Sequence, residues 1–383
     1  MKKIILWMMI VLCLSVVRAD ESTPLVVWSE NGDLVVWHDG TSHTFLVGKI
    51  IFPILSPSGE QVALIRGTYS YPESLSVISI TGDNLRDIDI QYPRQVVWQS
   101  ETILWVSSYL PPTEGMLSLP LSTILYRIDL ETNTMSQWDI EHEFNFFLNP
   151  QKTWIAVVLA GIYEQTDTQI TIFSTDSSPA EAQVVLRFPT ISSASHEGFL
   201  PDVQWITETT AHISIRESDA VYATRDDAPL TTVIEFSVFG ETKTLGAFPS
   251  IFFFSPVTAH DGDSVGYVTR DDNLLIASLD GQTIYHDIEL EYAPSFPPMP
   301  IPQTSLFAYI QGTPTMMLVG KDTAPTEWFM IGGAFLDVDI QPKGAVIMRL
   351  GGIETTLLYV RIGEQEVHEI AKIEYTAFDA KWE

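Results

Sequence analysis

Seven times after residue 50 a turn signal built on Pro, Gly, Asn, Ser or Thr precedes a short strand of alternating or continuous apolar residues. SPSGEQVALI (Ser56 to Ile65) is the clearest copy, and SPVTAHDGDSVGYV, IQPKGAVIMRL and FNFFLNPQKTWIAVVL repeat its plan. VVWQSETILWV, VQWITETTAHISI and MPIPQTSLFAYI are degenerate versions. The turns fall near Pro57, Ser100, Pro150, Thr207, Pro256, Pro302 and Pro342, about 40 to 57 residues apart, which is the period of a four-stranded propeller blade. A chain with that period cannot bury one face of a unit alone. It must stack its units around a common axis.

Each unit reads as four strands, a to d, separated by Gly, Pro, Asn and Asp. In the first complete unit these are IIFPIL, QVALI, SLSVISI and LRDIDI. Alternation in SLSVISI and TILYRIDL suits strands with one covered face, and continuous runs such as WIAVVL suit strands covered on both. No segment after residue 20 has a helical period. Complete units are predicted at about 50–90, 94–140, 144–188, 201–248, 251–290, 295–331 and 335–372.

Two remnants complement each other. Leu25 to Val47 supplies three strands and lacks an inner one, whereas Thr376 to Trp382 resembles only inner strands. Their union predicts an eighth blade that closes the ring and removes the open sheet edges. The fold class is therefore all-β, a single propeller of eight four-stranded blades spanning 20–383, or of seven if the remnants stay apart.

The Ser-Pro-x-Gly turns of SPSGEQVALI and the Gly turn of HDGDSVGYV resemble the repeat of TolB-type, WD40-like bacterial propellers; Ser58 stands where that repeat usually has Asp. The resemblance implies the fold. It implies no one activity, because such propellers serve many functions.

Composition bounds compartment and partners. The net charge of −29 arises from 49 acids against 20 Lys and Arg, spread along the chain as a solvated surface. That field repels phosphate backbones and makes nucleic acid a poor partner. Residues 1–19 carry two lysines, an apolar run and Val17-Arg18-Ala19 ahead of Asp20, the pattern of a cleaved secretory signal. The run is too short for an ordinary membrane span, and retention as an anchor is the competing reading. Cys13, the single cysteine, falls within it, so the mature chain has no thiol nucleophile and no disulfide. The expected protein is a secreted or periplasmic monomer.

Loop length selects the face that could bind. Antiparallel order puts the tight a-to-b turns on one side of the ring and both the b-to-c loops and the d-to-a connections on the other. Early blades have long b-to-c loops, RGTYSYPES, SSYLPPTEGMLSLPLS, AGIYEQTDT and RESDAVYATRDDAPL, joined by FPTISSASHEGFLPD. They hold Tyr69, Tyr71, Tyr109, Tyr163 and Tyr222, with Glu73, Glu164, Asp167, His196, Arg216 and Arg225 nearby. Tyrosine combines a flat apolar body with a polar tip, suited to sugars or peptide segments; the structural alternative is that these rings lid the blades. Aligned inner strands also place Gln95, Asn145, Asp202, Asp337 and Asp379 at equivalent positions near the channel mouth on that face. Converging carboxylates there could raise a pKa or hold calcium; a strand-start Asp more commonly accepts backbone N–H bonds.

The expected function is a binding or scaffold module for a protein, peptide or glycan, acting through the long-loop face of blades one to four without a cofactor. The alternative is a glycan-active or cyclase-type enzyme using Asp202, Asp337 and Asp379 with loop tyrosines and His196. GDSVG (Gly262 to Gly266) matches a nucleophile-elbow pattern, but a hairpin rather than a helix follows it. The eight histidines show no zinc-ligand spacing.

Overall fold

A computed structural model describes residues 23–68, 71–109, 122–140, 143–160, 167–189, 200–216, 230–250, 255–269, 271–291, 296–312, 315–351, 354–374 and 376–382. Its strands form eight four-stranded sheets, each antiparallel throughout. The inner strands of blades 1 to 7 are Ile50–Leu55, Pro93–Trp98, Phe144–Leu148, Val203–Trp205, Val257–Thr258, Met299–Pro300 and Ala334–Gln341. Blade 8 takes its inner strand, Phe378–Trp382, from the other end of the chain. That strand pairs antiparallel with Pro24–Glu30, setting Phe378 opposite Trp28, Ala380 opposite Val26 and Trp382 opposite Pro24. The expected eighth blade and its latch are both present. Only a 3-10 turn at Pro179–Glu181 departs from the all-β pattern among the described residues.

The core is divided among the blade interfaces. Eight apolar clusters occur, and each joins two neighbouring blades. The interface of blades 1 and 2 is built on Ile65, Leu75, Val77, Trp98, Leu104 and Val106, and that of blades 7 and 8 on Trp28, Met348, Tyr359 and Trp382. Among the described residues, the interface of blades 4 and 5 has the fewest buried apolar side chains, Val233, Phe248, Val265, Tyr267 and Ala277. Because every sheet is covered on both faces, b and c strands read as continuous apolar runs such as Leu34–Trp37 and Leu104–Val106, all buried.

An inner strand has one edge facing the channel, where its backbone groups lack a sheet partner. Side chains bridge part of that gap. Gln95 donates to Phe146 O at 2.8 Å and accepts from Phe146 N at 3.3 Å, clamping blade 2 to blade 3. Gln204 does the same to both backbone groups of Thr258 in blade 5. In blade 7, Gln341 donates to Ala380 O and accepts from Trp382 N. Two indoles reach the other way: Trp98 Nε1 donates to Ile54 O and Trp205 Nε1 to Phe147 O.

Candidate functional site

The blade order expected from sequence places b-to-c and d-to-a connections on one face, and at blades 1 and 2 that face carries an aromatic patch. Tyr71 opens a strand of blade 1 (Tyr71–Ser79), Tyr109 closes one of blade 2 (Ile103–Tyr109), and Tyr92 lies in the connection between the blades. Tyr71 is exposed and meets Tyr92 edge to face, with ring centroids 5.2 Å apart. The hydrogen bond that the Tyr71 hydroxyl makes to the Tyr92 side chain contributes most to holding the Tyr71 pKa above its ordinary value. Tyr109 N donates to Tyr92 O at 3.0 Å, and the Arg94 guanidinium lies 5.9 Å from the centre of the Tyr109 ring. Such a cation over a ring is attracted by its quadrupole.

Backbone geometry fixes these positions. Tyr92 adopts φ 56 and Lys49 φ 61, left-handed conformations unusual for side-chain-bearing residues. Gly67, at φ 137, sits where an added Cβ would lie 2.5 Å from Tyr71 O, so only glycine allows the chain to turn back there. The charges around the rings are paired: Lys49 with Glu73 at 2.8 Å and Arg94 with Glu143 at 3.6 Å. Tyr92 was absent from the sequence-derived set. Its only signal was position, a ring in a d-to-a connection directly before Pro93.

Of the expected ligand residues, Tyr69, Tyr163, His196 and Tyr222 lie outside the described residues, as do Glu164 and Arg225. The acidic residues are described and do not form one cluster. Asp202 precedes its strand, has no hydrogen-bond partner among the described residues, and has its pKa raised by burial. Asp337 is exposed and accepts from its neighbour's amide, Val338 N, at 2.9 Å. Asp379 accepts from Leu55 N of blade 1 at 2.6 Å and from Ala380 N at 2.9 Å.

The strand register corrects the alignment of these acids. Asp379 pairs with Val27 and Val27 with Val36, which stands as far ahead of the turn residue Gly40 as Tyr359 stands ahead of Gly363. Tyr359 pairs with Val346, and Val346 with Asp339. The blade 7 equivalent of Asp379 is therefore Asp339, not Asp337. Gln341, two residues further on, already pairs with Gly344 across the tight a-to-b turn. Asp339 and Asp379 consequently lie toward the tight-turn end of the channel, away from the tyrosines.

The two carboxyls influence each other. Burial pushes Asp339 up to about 6, partly opposed by the 2.9 Å hydrogen bond from Gln341 and aided by the charge of Asp337. Burial likewise pushes Asp379 up to about 6, opposed by the Leu55 amide and reinforced by the charge of Asp339. The Ala380 amide that would be the counterpart of Leu55 for Asp339 is already taken by Asp379. No group of three or more metal-ligating side chains occurs among the described residues.

The remaining motifs resolve structurally. Ser264 of GDSVG is wholly buried inside the strand Ser264–Val268, and Gly262 serves the turn before it at φ 74. His260 belongs to a turn as expected, whereas His38 ends the strand Asp33–His38 and pairs with Thr41 across the turn; burial lowers the His260 pKa and Asp261 partly restores it.

No family model matches the chain, and no curated protein matches its sequence. Solved structures do match its shape. A eukaryotic initiation factor superposes with a TM-score of 0.56 at 9% identity, covering 94% of this chain and 98% of that one. The β-propeller domain of the Trilobed protease from Pyrococcus furiosus gives 0.52 at 12% identity, with coverage of 85% and 97%. A prolyl endopeptidase gives 0.51 at 13% identity, and the match covers 89% of this chain but 55% of that enzyme. The likeness is one of fold. The Trilobed domain is described as having an open velcro topology, whereas the present ring is closed by its terminal strands.

Proposed function

We propose that this protein is a non-catalytic binding module of the TolB-like propeller type, secreted or periplasmic, which engages a protein, peptide or glycan through the long-loop face of its early blades. The observation that carries the reading is the patch of Tyr71, Tyr92 and Tyr109 with Arg94, built from two blades and their connection. Three rings at a surface offer stacking area at small conformational cost, and their hydroxyls add direction. The paired charges around them leave little net field to oppose a neutral ligand. In this reading the acids of the channel are structural: Asp379 and Asp337 satisfy backbone amides, and the Asp339 and Asp379 level lies at the opposite end from the aromatic patch. The N-terminal segment acts as a cleaved signal; no helix among the described residues is long and apolar enough to cross a membrane.

The test compares wild type with a Tyr71→Ala, Tyr92→Ala, Tyr109→Ala variant on glycan panels and in pull-downs from cell-envelope extract. The expected result is saturable binding by wild type, weakened at least tenfold in the variant. Equal binding by both proteins would move the interaction off this face.

A further inference from the structure

Exposed apolar side chains recur at one level of the propeller. Eleven large apolar side chains are exposed among the described residues, and six of them lie in the hairpins that join the third and fourth strands of a blade. These are Leu85, Met135, Val184, Phe239, Ile284 and Ile362, in blades 1, 2, 3, 4, 5 and 7. Each stands in the turn itself or within two residues of it. Antiparallel order puts the c-to-d turns on the tight-turn side, at the outer rim of the ring. A single exposed apolar residue needs no explanation, but the same position in six blades does.

From blade 3 to blade 5 neighbouring hairpins touch. Phe239 is 72% exposed and precedes Gly240, where an added Cβ would lie 2.6 Å from Nε2 of Gln183, the residue next to Val184. The blade 5 turn lies against the outer strand of blade 4, since a Cβ on Gly281 would be 3.4 Å from Phe248 Cε1. The three turns, 175–182, 238–241 and 279–283, carry Asp176, Glu181, Glu241 and Asp280 but no Lys or Arg. All four acids are exposed, and none forms an ion pair among the described residues. Asp280 accepts from Ser278 Oγ at 2.5 Å and from Gln282 N at 3.0 Å, bonds that hold its carboxyl below the usual pKa. Arg187 and Lys243 stand within the outer strands, Lys243 directly opposite Glu235 in the register.

Covering apolar surface is favourable, and the acids beside it decide what can cover it. A second copy of the chain would set the same acids against each other, and an anionic membrane or a phosphate backbone would be repelled. A positively charged protein surface meets both demands. We infer that the c-to-d rim of blades 3 to 5 docks a basic protein segment with interspersed apolar side chains. Its aliphatic groups cover Val184, Phe239 and Ile284, and its Lys or Arg side chains meet Asp176, Glu181, Glu241 and Asp280. An apolar anchor such as Phe239 surrounded by charged groups has the anatomy of a protein interface, in which the charges steer encounter and make it salt-dependent. The rim lies on the opposite side of the ring from the aromatic patch, and either surface can fail without the other.

The experiment titrates the intact protein into labelled synthetic peptides of alternating lysine and leucine, alternating lysine and serine, and alternating glutamate and leucine, with fluorescence anisotropy at constant ionic strength as the readout. Wild type is compared with Val184→Ser, Phe239→Ser, with Glu181→Gln, Glu241→Gln and with a remote control, Leu46→Ser, Glu327→Gln, which changes exposed residues of blades 8 and 6. Far-UV circular dichroism confirms the fold of each; the Glu181 and Glu241 changes remove no apolar side chain and serve as the test if the apolar pair fails to fold. The expected result is saturable binding of the lysine–leucine peptide, at least tenfold tighter than of either other peptide, weakened fivefold or more by each rim pair and unchanged in the control. Absence of saturable binding, equal affinity for the lysine–serine peptide, retention of binding in the rim variants or equal loss in the control would overturn the proposal. So would rim-dependent flotation with anionic lipid vesicles, or self-association in sedimentation that the same rim variants abolish, because either assigns the rim to another occupant.

Discussion

The two ends of the channel are made by the same eight blades yet differ in kind. At the long-loop end the connections vary in length, and rings from two blades and a linker gather beside charges already paired to one another. At the tight-turn end each blade contributes a short hairpin, and the carboxylates of Asp339, Asp379 and Glu101 are held there by amides and hydroxyls. A long loop can carry a bulky side chain away from the barrel wall. A tight turn cannot, so its chemistry comes from short acids on the inner strand and from a carboxylate such as Glu101 tied to the neighbouring turn. The difference teaches that one fold can separate an aromatic surface from a titrating one simply by the direction of its hairpins.

The strongest way to break this comparison is to open the ring, because both ends depend on closure. Trp382 is 8% exposed and packs with Tyr359 at 6.0 Å between centroids, in a cluster that joins blades 7 and 8. Trp382→Ala is expected to cost about 3 to 5 kcal/mol, measured as a lower midpoint in chemical denaturation. A change below about 1 kcal/mol would mean that the latch contributes little to stability.

A subtler change touches the long-loop end alone. Gly67→Ala must displace the Tyr71 and Glu73 backbone and is expected to cost about 1 to 3 kcal/mol, from strain at a left-handed position. It should also disturb the Tyr71 ring, visible as a near-ultraviolet circular dichroism change, while leaving the pH dependence set by Asp339 and Asp379 at the other end unaltered.

The tight-turn end is sharpened by pH. Asp339 and Asp379 titrate near 6 in the folded chain, above the ordinary unfolded value of about 3.9. Between about pH 4 and 6 the folded chain therefore holds protons that the unfolded chain has released, so these groups make stability fall as pH rises through that window and level off above it. Asp339→Asn removes one of the two charges and should flatten that dependence, raising stability at pH 8 relative to pH 5 by on the order of 1 to 2 kcal/mol. Denaturation midpoints at the two pH values measure it; an unchanged slope would show that Asp339 is not strained by burial.

Much of this architecture was legible because a propeller is written as a repeat. The predicted unit at 144–188 coincides with strands running from Phe144 to Phe188, and the latch pairs Phe378 and Ala380 with the residues expected of it. The equivalence of Asp379 with Asp337 failed for a local reason. FLDVDI holds two aspartates two residues apart on one face of the strand, so its likeness to AFDAKW selects Asp337, and pairing through two further strands is needed to identify Asp339. Tyr92 escaped notice because a left-handed residue before proline has no periodic signature.

What the sequence alone determined is the number of sheets, their strand order and the way the ends meet, since turn residues and apolar alternation are local quantities repeated often enough to be counted. Only the tertiary structure decided which side chains face one another across blades. Leu55 and Asp379 stand 324 residues apart along the chain, and they bond because the closed ring sets blade 1 beside blade 8. Electrostatic coupling depends on distance through space, and no periodicity in the chain encodes it.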